Sequence, residues 1–523
     1  MYDLLIRNAR IIDGTGAPWY YGDLAVKDSV IAAMGKLGAC DARETVDAAG
    51  LALSPGFIDI HCHSDETLLN DARGEGRLLQ GVTLEIGGNC GMSMAPAQPE
   101  TLDLLRDYMG PAPYDWNTFG QFLDRIEAAQ PSVNFGCLVG HGTLRIAVMG
   151  FSAKKATDEQ CAAMRQLAEQ AMEEGAFGVT SGLIYPPGSF SDTRELAEVA
   201  KAVLPYGGYY ATHMRNERNA LIPALEEALE TARLSGAPLH ISHHKCAYKP
   251  HWESSVGATI PMIRKAREQG LDVTCDQYPY NAGSTTITCN FPSWAFEGGM
   301  EALLARLRDP EARAKMCAES DESHLGRWGD IHVGWTACPE DQWMCGKNMI
   351  EIGEKEGLPP VQALAELVLR ANGQANELDY CISERDIEFI MQQPFVMIGS
   401  DGWSYPLSQP GKPHPRAYGT FPRILGHYSR DRRLFPLETA VFKMTGMPAA
   451  RLGLSDRGLL RPGMKADLVL FDPETVRDDP TYQNPQQPCT GIKRVYVNGV
   501  LSACDGQHTG ARAGTVLRKG KNT

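Results

Sequence analysis

The chain has 523 residues, of which 43% are apolar and 22% are charged, and its formal net charge is −14. This composition is typical of a globular protein with one large domain or a domain plus a smaller module. The acidic balance, without a basic cluster, argues against nucleic acid and anionic membranes as partners. The 14 scattered cysteines form no CxxC pair, and the N-terminus MYDLLIRNARIIDG lacks the pattern of a signal peptide. We therefore expect a cytoplasmic protein with reduced thiols.

Short β-prone segments occupy both ends of the chain. Residues 2–12 and 23–34 form the first group, and residues 465–472 and 492–501 form the second. Asn498-Gly499 interrupts the last segment with a strong two-residue hairpin turn. We expect the two ends to pair into one small sheet module that is discontinuous in sequence.

The middle of the chain alternates apolar strands with helices. A helix from Thr157 to Glu174 begins with a capping box of Thr157 and Gln160 and stops at Gly175, and residues 219–235 repeat the pattern before Gly236. Eight strands are predicted, at 56–63, 81–89, 134–141, 177–185, 207–213, 238–244, 271–280 and 395–401. Eight such units favour a (β/α)8 barrel, with a doubly wound open sheet as the alternative.

Polar side chains at the strand ends decide between these two architectures. Each lies at or just beyond the carboxyl end of a predicted strand: His61, His63, Cys90, Tyr185, His213, His243 and Asp401. The strand ends of a closed barrel converge on one mouth, whereas those of an open sheet would lie too far apart to share a site. The pattern therefore predicts the barrel.

A long segment, residues 281–394, separates the last two strands. It is far longer than one helical return needs, and it contains its own predicted helices at 300–308 and 359–371. Trp294, Trp328, Trp335 and Trp343 also lie in it. We interpret it as an insertion that covers the barrel mouth.

The strand-end residues indicate a metal site. A lone strand-end histidine is usually structural, but His61 and His63 alternate on one strand, so both can face one cation. Imidazole, carboxylate and thiolate are ligands of borderline cations such as Zn²⁺. Cys90 in GGNCG has a buried structural thiol as its alternative. His244 should point away from the site, and His141 either shapes it or supports a loop.

A set of motifs runs in order through nearly the whole chain: PGFIDIHCHSD, GVTLEIGGNCG, VGHGTLR, GLIYPPG, ATHMRNE, ISHHK, YPYNAGSTT, GSDG, HPRAYGTFPR and RPGMKADLVLFD. In these motifs the chain resembles the D-aminoacylase family, the N-acyl-D-amino-acid deacylases of the amidohydrolase superfamily. The resemblance implies a (β/α)8 TIM-like barrel over residues 55–450, with the insertion at 281–394 near its mouth. It also implies a small β-sandwich built from residues 1–54 and 451–523.

The resemblance further implies a zinc enzyme. Cys90, His213 and His243 match the ligands of a tightly held zinc. His61, His63 and Asp401 match a second, weaker metal position, to which Cys90 could also contribute. Many superfamily relatives bridge two metals with a carboxylated lysine on the fourth strand, but FGVTSGLIY has no lysine. One and two working metals therefore both remain open.

The roles of the other residues also follow from the resemblance. Metal-activated water would attack the acyl carbonyl with Asp401 as general base and then acid, because Zn²⁺ lowers the pKa of bound water to ~7. Tyr185 would stabilise the oxyanion, with packing at the barrel rim as the alternative role. Four residues would hold the α-carboxylate of the small-molecule substrate: Lys245, Tyr278, Ser284 and Arg416. A solvated surface position is the alternative for Lys245 and Arg416.

The side-chain preference is predicted from residues 281–299, which contain no lysine or arginine. This favours N-acyl-D-amino acids with neutral, largely hydrophobic side chains. A deacylase of N-acyl-D-glutamate or N-acyl-D-aspartate and a cyclic-amide hydrolase of hydantoinase or dihydroorotase type are the alternatives. A metal-free scaffold would have lost ligands, and this set is intact. The sequence leaves the oligomeric state open.

Overall fold

The computed structural model describes residues 1–521 and contains 21 strands. In chain order these are β1 Tyr2–Ile11, β2 Tyr20–Lys27, β3 Val30–Gly35, β4 Ala42–Asp47, β5 Ala52–Pro55, β6 Phe57–Asp59, β7 Val82–Gly87, β8 Asn134–Cys137, β9 Val139–Gly140, β10 Gly178–Gly182, β11 Tyr209–His213, β12 Leu239–Ile241, β13 Val273–Gln277, β14 Gly283–Thr286, β15 Ile331–Thr336, β16 Ala375–Asp379, β17 Val396–Ile398, β18 Leu468–Phe471, β19 Ile492–Val497, β20 Val500–Cys504 and β21 Gln507–His508.

The described residues also form 17 α-helices. These are α1 Asp65–Asn70, α2 Glu75–Leu78, α3 Leu102–Met109, α4 Phe119–Ala128, α5 His141–Met149, α6 Asp158–Glu174, α7 Thr193–Ala200, α8 Leu221–Ser235, α9 Ser254–Glu268, α10 Met300–Arg308, α11 Pro310–His324, α12 Met349–Glu356, α13 Pro360–Arg370, α14 Glu384–Met391, α15 Arg416–Arg423, α16 Leu437–Met444 and α17 Gly446–Leu452. No helix in residues 1–521 has the length and apolar character needed to cross a membrane.

Strands from both ends of the chain lie in one nine-stranded sheet. Its order is β21-β20-β19-β18-β5-β1-β2-β3, with β4 paired to β1. The predicted hairpin joins β19 to β20, and Asn498 and Gly499 have φ of 48° and 81°, as a tight two-residue turn requires. The sheet has an apolar core that includes Leu4, Ile11 and Leu468. The exact domain boundaries stay a prediction.

The central strands form a closed parallel barrel. Strands β6, β7 and β8 pair in parallel, and β9, β10, β11, β12, β13 and β17 form a second parallel series. Only Leu138 separates β8 from β9, so these two segments act as one barrel strand. The Asp401 amide donates to the His61 carbonyl at 2.8 Å, and the His63 amide donates to the Gly402 carbonyl at 2.9 Å. These bonds join the first and last strands, which confirms the barrel and excludes the open sheet.

The two predicted helices are present. Helix α6 begins after the capping box of Thr157 and Gln160, whose side chain and backbone bonds are both formed, and it ends at Gly175. Helix α8 begins at Leu221, two residues later than predicted, and ends at Gly236 in the left-handed region. A difference of this size at a helix start is ordinary, because helix ends fray.

The long segment between the last two barrel strands contains a subdomain of its own. Strands β14, β16 and β15 form a three-stranded antiparallel sheet, and helices α10 to α13 pack with it around a separate apolar core that includes Leu303, Trp328 and Leu364. Predicted helices at 300–308 and 359–371 correspond to α10 and α13. The antiparallel sheet was not predicted.

Candidate metal centre and active site

The barrel mouth brings together the six predicted metal ligands. The Cys90 sulfur lies 3.3 Å from His61 Nε2, 3.3 Å from His243 Nε2 and 3.8 Å from His213 Nδ1. Asp401 Oδ1 lies 3.1 Å from His63 Nε2 and 3.4 Å from His61 Nε2. Donor atoms of His61, Cys90, His243 and Asp401 all lie within 4.8 Å of one another. A thiolate, a carboxylate and imidazoles converging in this way match the donor set of zinc.

Three of these residues have a strained backbone. Cys90, His243 and Asp401 follow three different strands, and their φ values are 53°, 34° and 53°. The left-handed region costs a non-glycine residue about 1–3 kcal/mol and occurs at functional sites that impose it. Each residue turns sharply at its strand end, and its side chain points into the mouth.

Glycines allow the Cys90 loop to approach the fourth barrel strand. A Cβ at Gly182 would lie 2.0 Å from the Cys90 carbonyl oxygen, and a Cβ at Gly91 would lie 2.6 Å from the Gly182 amide nitrogen. Any larger residue would therefore displace the backbone that carries the thiol.

Two buried carboxylates, which the sequence interpretation missed, orient the imidazoles. Glu217 Oε1 lies 3.0 Å from His243 Nδ1, and Asp276 Oδ2 lies 3.0 Å from His61 Nδ1. In both cases the other ring nitrogen faces the Cys90 sulfur, an arrangement that fixes a metal-binding tautomer. Glu217 follows His213 by four residues within the HMRNE motif, which was the available signal.

Neighbouring charges in the site shift the pKa values of its ionisable groups. Burial raises the pKa of the Cys90 thiol, but the neighbouring His61 and His243 lower it well below its ordinary value. Burial lowers the pKa of His243, as does Lys245, yet Glu217, Asp401 and Cys90 raise it to about 9. Burial also raises the pKa of Asp401, but Arg416 and the imidazoles hold it well below its usual range. Cys90 and Asp401 are therefore anionic at neutral pH, as metal ligands must be.

The predicted substrate residues surround this centre. Arg416 Nη1 donates to Asp401 Oδ2 at 2.7 Å, and its Nη2 donates to the Ser284 backbone carbonyl at 2.8 Å. The guanidinium carbon lies 4.8 Å from the centre of the Tyr278 ring. The Tyr278 hydroxyl and Arg416 Nε are buried without a hydrogen-bond partner. Lys245 and Arg416 are both buried, so the alternative of a solvated surface position is wrong for them.

Tyr185 connects the barrel to the insertion. Its hydroxyl lies 2.9 Å from Thr285 Oγ1, and its ring centre lies 5.2 Å from that of His213. Burial raises the pKa of Tyr185 well above its ordinary value, so the hydroxyl keeps its proton and can donate a hydrogen bond. His141 instead bonds Glu195, 2.8 Å away, which favours its role in supporting a loop.

A cavity of about 650 Å³ opens above these residues. His63, Tyr185 and Asp401 line it on the barrel side, and β14 and Trp335 line it on the insertion side. No lysine or arginine lies among its lining residues in the described chain. Four carboxylates besides Asp401 line it: Asp65, Glu66, Asp71 and Asp107. The insertion therefore forms one wall of a cavity over the metal centre, and this cavity is lined by carboxyl groups without a lysine or arginine among its described residues.

Replacing Gly182 with alanine should weaken zinc binding. The new Cβ would collide with the Cys90 carbonyl and move the thiol, and a displacement of ~1 Å can cost about 100-fold at such a site. Zinc content after dialysis, with circular dichroism to monitor folding, measures the effect. Gly257→Ala is the matched control, because a Cβ there meets open space. Full zinc retention in folded Gly182→Ala protein would contradict this account of the loop.

Comparisons with known proteins show the family of the chain. The chain matches the family model described as "Amidohydrolase family" over residues 44–503. It is 40% identical over 522 residues to D-aminoacylase of Alcaligenes xylosoxydans xylosoxydans, covering 99% of this chain and 98% of that protein. A crystal structure of D-aminoacylase has a TM-score of 0.83 and 38% identity, covering 99% of this chain and all of that one.

A second solved structure adds a ligand. N-acyl-D-glutamate deacylase from Bordetella bronchiseptica has a TM-score of 0.84 and 34% identity, with 99% of both chains covered. That protein was crystallised with zinc and a phosphonate inhibitor that mimics the tetrahedral intermediate of its reaction.

Proposed function

The chain belongs to the amidohydrolase family, and we propose that it is a zinc-dependent hydrolase of N-acyl-D-amino acids. It splits the amide bond and releases a carboxylate and a free D-amino acid. The observation that carries this proposal is that the Cys90 thiolate, the imidazoles and Asp401 converge beneath a cavity. Arg416 and Tyr278 lie buried beside them. The end-to-end match to deacylases of linear amides supports it.

The metal would be held in two neighbouring positions. Cys90, His213 and His243 would hold the tighter zinc, and His61, His63 and Asp401 the weaker one. The D-aminoacylase relative has a binuclear metal centre in which one metal activates and the second attenuates. Strand β10, with the sequence GVTSG, offers no lysine as a bridge between two metals. When bound, zinc supplies water of lowered pKa, ~7, and polarises the scissile carbonyl.

Asp401 moves the proton. Its carboxylate is ionised at neutral pH because Arg416 and the imidazoles lower its pKa, so it can accept a proton from the attacking water. It would then pass that proton to the leaving amine. Arg416 fixes Oδ2 and His63 faces Oδ1, which holds the carboxylate in one orientation.

The buried cations bind the substrate's α-carboxylate. Arg416 uses Nη1 and Nη2 on Asp401 and Ser284, which leaves Nε without a partner, next to the unpartnered Tyr278 hydroxyl. Lys245 lies with its ammonium 5.7 Å from the centre of the Tyr278 ring. Ser284 and Asp401 line the cavity, and Arg416, Tyr278 and Lys245 lie buried behind them. An α-carboxylate that passes this wall would meet two cations and a hydroxyl, the charge-assisted contacts that bind carboxylates strongly.

Tyr185 would stabilise the oxyanion, so Tyr185→Phe should lower kcat about 100–1000-fold while KM and zinc content stay near the wild-type values. The hydroxyl is needed where charge develops during the reaction and contributes little to binding the ground state. Steady-state kinetics with N-acetyl-D-methionine measures both constants. Tyr206→Phe, which removes a surface phenol that bonds Glu173, is the control. A kcat close to wild type in Tyr185→Phe would exclude this role.

The cavity favours substrates with neutral side chains. A carboxylate on the substrate's side chain would find no lysine or arginine in the lining and would face the charge of Asp71, whose pKa is lowered by its bond to Arg73. The residues contributed by the insertion include the apolar Phe291, Phe296 and Met300. N-acyl-D-glutamate and N-acyl-D-aspartate are therefore disfavoured, although a relative acts on the former.

Four substrates test this assignment: N-acetyl-D-methionine, N-acetyl-L-methionine, N-acetyl-D-glutamate and hydantoin. We expect the D-methionine derivative to be hydrolysed fastest. For N-acetyl-D-glutamate, kcat/KM should be about 100-fold lower, because leaving a charged group unpaired in the cavity costs ~3 kcal/mol.

The other outcomes identify the alternatives. A higher kcat/KM for N-acetyl-D-glutamate would make the protein an acidic-substrate deacylase. If hydantoin is the only substrate hydrolysed, the protein is a cyclic-amide hydrolase and the assignment as a deacylase is wrong. Equal turnover of N-acetyl-D-methionine and N-acetyl-L-methionine would contradict the proposed selectivity for D-amino acids.

A further inference from the structure

Glu217 lies at the centre of a buried cluster that joins the metal ligands to the substrate cation. Its Oε1 lies 3.0 Å from His243 Nδ1. Its Oε2 lies 2.6 Å from Lys245 Nζ and 3.3 Å from His213 Nε2. Glu217 is 6% exposed, so these partners are the ones available to it. One carboxylate therefore contacts two of the imidazoles that face Cys90 and the lysine that faces Tyr278.

The carboxylate can set the tautomer of the His243 ring. A hydrogen on His243 Nδ1 can be donated to Oε1, which leaves the lone pair of Nε2 directed at the Cys90 side. His213 Nε2 lies 3.3 Å from Oε2 without forming a hydrogen bond to it, so Glu217 acts on this ring through its charge, while His213 Nδ1 faces the Cys90 sulfur. The paired carboxylate also makes the His243 imidazole a stronger electron donor.

The Lys245 ammonium occupies the position that a second metal ion could otherwise take in this cluster. Glu217, His213 and His243 form a group of suitable metal donors, but the Lys245 ammonium already lies 2.6 Å from Glu217 and 2.9 Å from His243 Nδ1. Of its three N–H bonds, one reaches Glu217 and one reaches the His243 carbonyl at 3.2 Å. The third lies near His243 Nδ1, so a substrate carboxylate would compete with that ring nitrogen for it.

Charge balance explains why the cluster persists when buried. Glu217 is buried, and its two oxygens lie against Lys245, His243 and His213. A buried carboxylate stays ionised only when it is paired and hydrogen-bonded. Removing its charge would leave Lys245 without its compensating anion and the His243 imidazole without an acceptor of full charge.

We propose that Glu217 is a positioning residue that couples zinc binding to the binding of the substrate's carboxylate. It acts on zinc through His213 and His243 and on the substrate through Lys245. Only the effect of Glu217 on substrate binding rests on the proposed function. Its effect on zinc binding can be measured without turnover.

The test compares wild-type protein with Glu217→Gln and with Glu226→Gln, which makes the same chemical change at an exposed position on helix α8. Each metal-free protein competes with a chelating dye for added zinc. Glu217→Gln should bind zinc about 10–100-fold more weakly, and Glu226→Gln should match the wild type. At saturating zinc, Glu217→Gln should also raise KM for N-acetyl-D-methionine about tenfold, since a lost charge-assisted contact costs ~1.5 kcal/mol.

The outcomes separate the two proposals. Wild-type zinc affinity in folded Glu217→Gln would overturn the positioning role. If the wild type itself hydrolyses no N-acyl-D-amino acid, the proposed function fails, while the zinc affinities still decide the role of Glu217. If Glu217→Gln does not fold, the double variant Glu217→Gln/Lys245→Gln removes the unpaired ammonium. That variant should fold and bind zinc weakly, and wild-type affinity in it would equally overturn the proposal.

Discussion

The hydrogen bond from the Asp401 amide to the His61 carbonyl, 2.8 Å long, is the contact on which the site depends. It closes the barrel by joining the first strand to the last. It also brings a histidine and a carboxylate, separated by 340 positions in the sequence, to 3.4 Å from each other. Without closure the strand ends would diverge, and the ligands from β6, β7, β11, β12 and β17 could not meet. The metal centre therefore forms only when the barrel closes.

Buried charge is the second constraint. The mouth holds Cys90, Asp401, Glu217 and Asp276 as anions, and each is bonded to an imidazole, a guanidinium or an ammonium. Burial of such ions is tolerable only with good pairing, because removing one partner leaves an uncompensated charge. Arg416 and Lys245 each compensate a carboxylate of the centre, Asp401 and Glu217 respectively. Their proposed role toward the substrate stays a prediction.

The sequence predicted the parts of the structure that depend on local patterns. Alternating His61 and His63, the capping box at Thr157 and the Asn498-Gly499 turn each carry their signal within a few residues. The strand-end position of Cys90 and Asp401 was also visible, once the eight strands were taken as a barrel. The functional residues that match the family motifs are present at the mouth, while their individual roles stay predictions.

What the sequence did not predict depends on contacts between distant segments. Asp276 binds His61 across more than 200 positions, and Glu217 meets Lys245 only because two strands lie side by side. The antiparallel sheet of the insertion pairs β14 with β16, nearly a hundred residues away. None of these three pairings leaves a periodic pattern in the chain. The positive φ values of Cys90, His243 and Asp401 are imposed by the site rather than by the residue type.

The central claim is that a cysteine thiolate and imidazoles of the barrel mouth hold zinc. X-ray absorption spectroscopy at the zinc edge of the purified, zinc-loaded protein tests it most directly. The account predicts one sulfur at about 2.3 Å together with nitrogen or oxygen ligands at about 2.0–2.1 Å, and loss of the sulfur signal in Cys90→Ser. A spectrum with nitrogen and oxygen ligands alone in the wild type would contradict it.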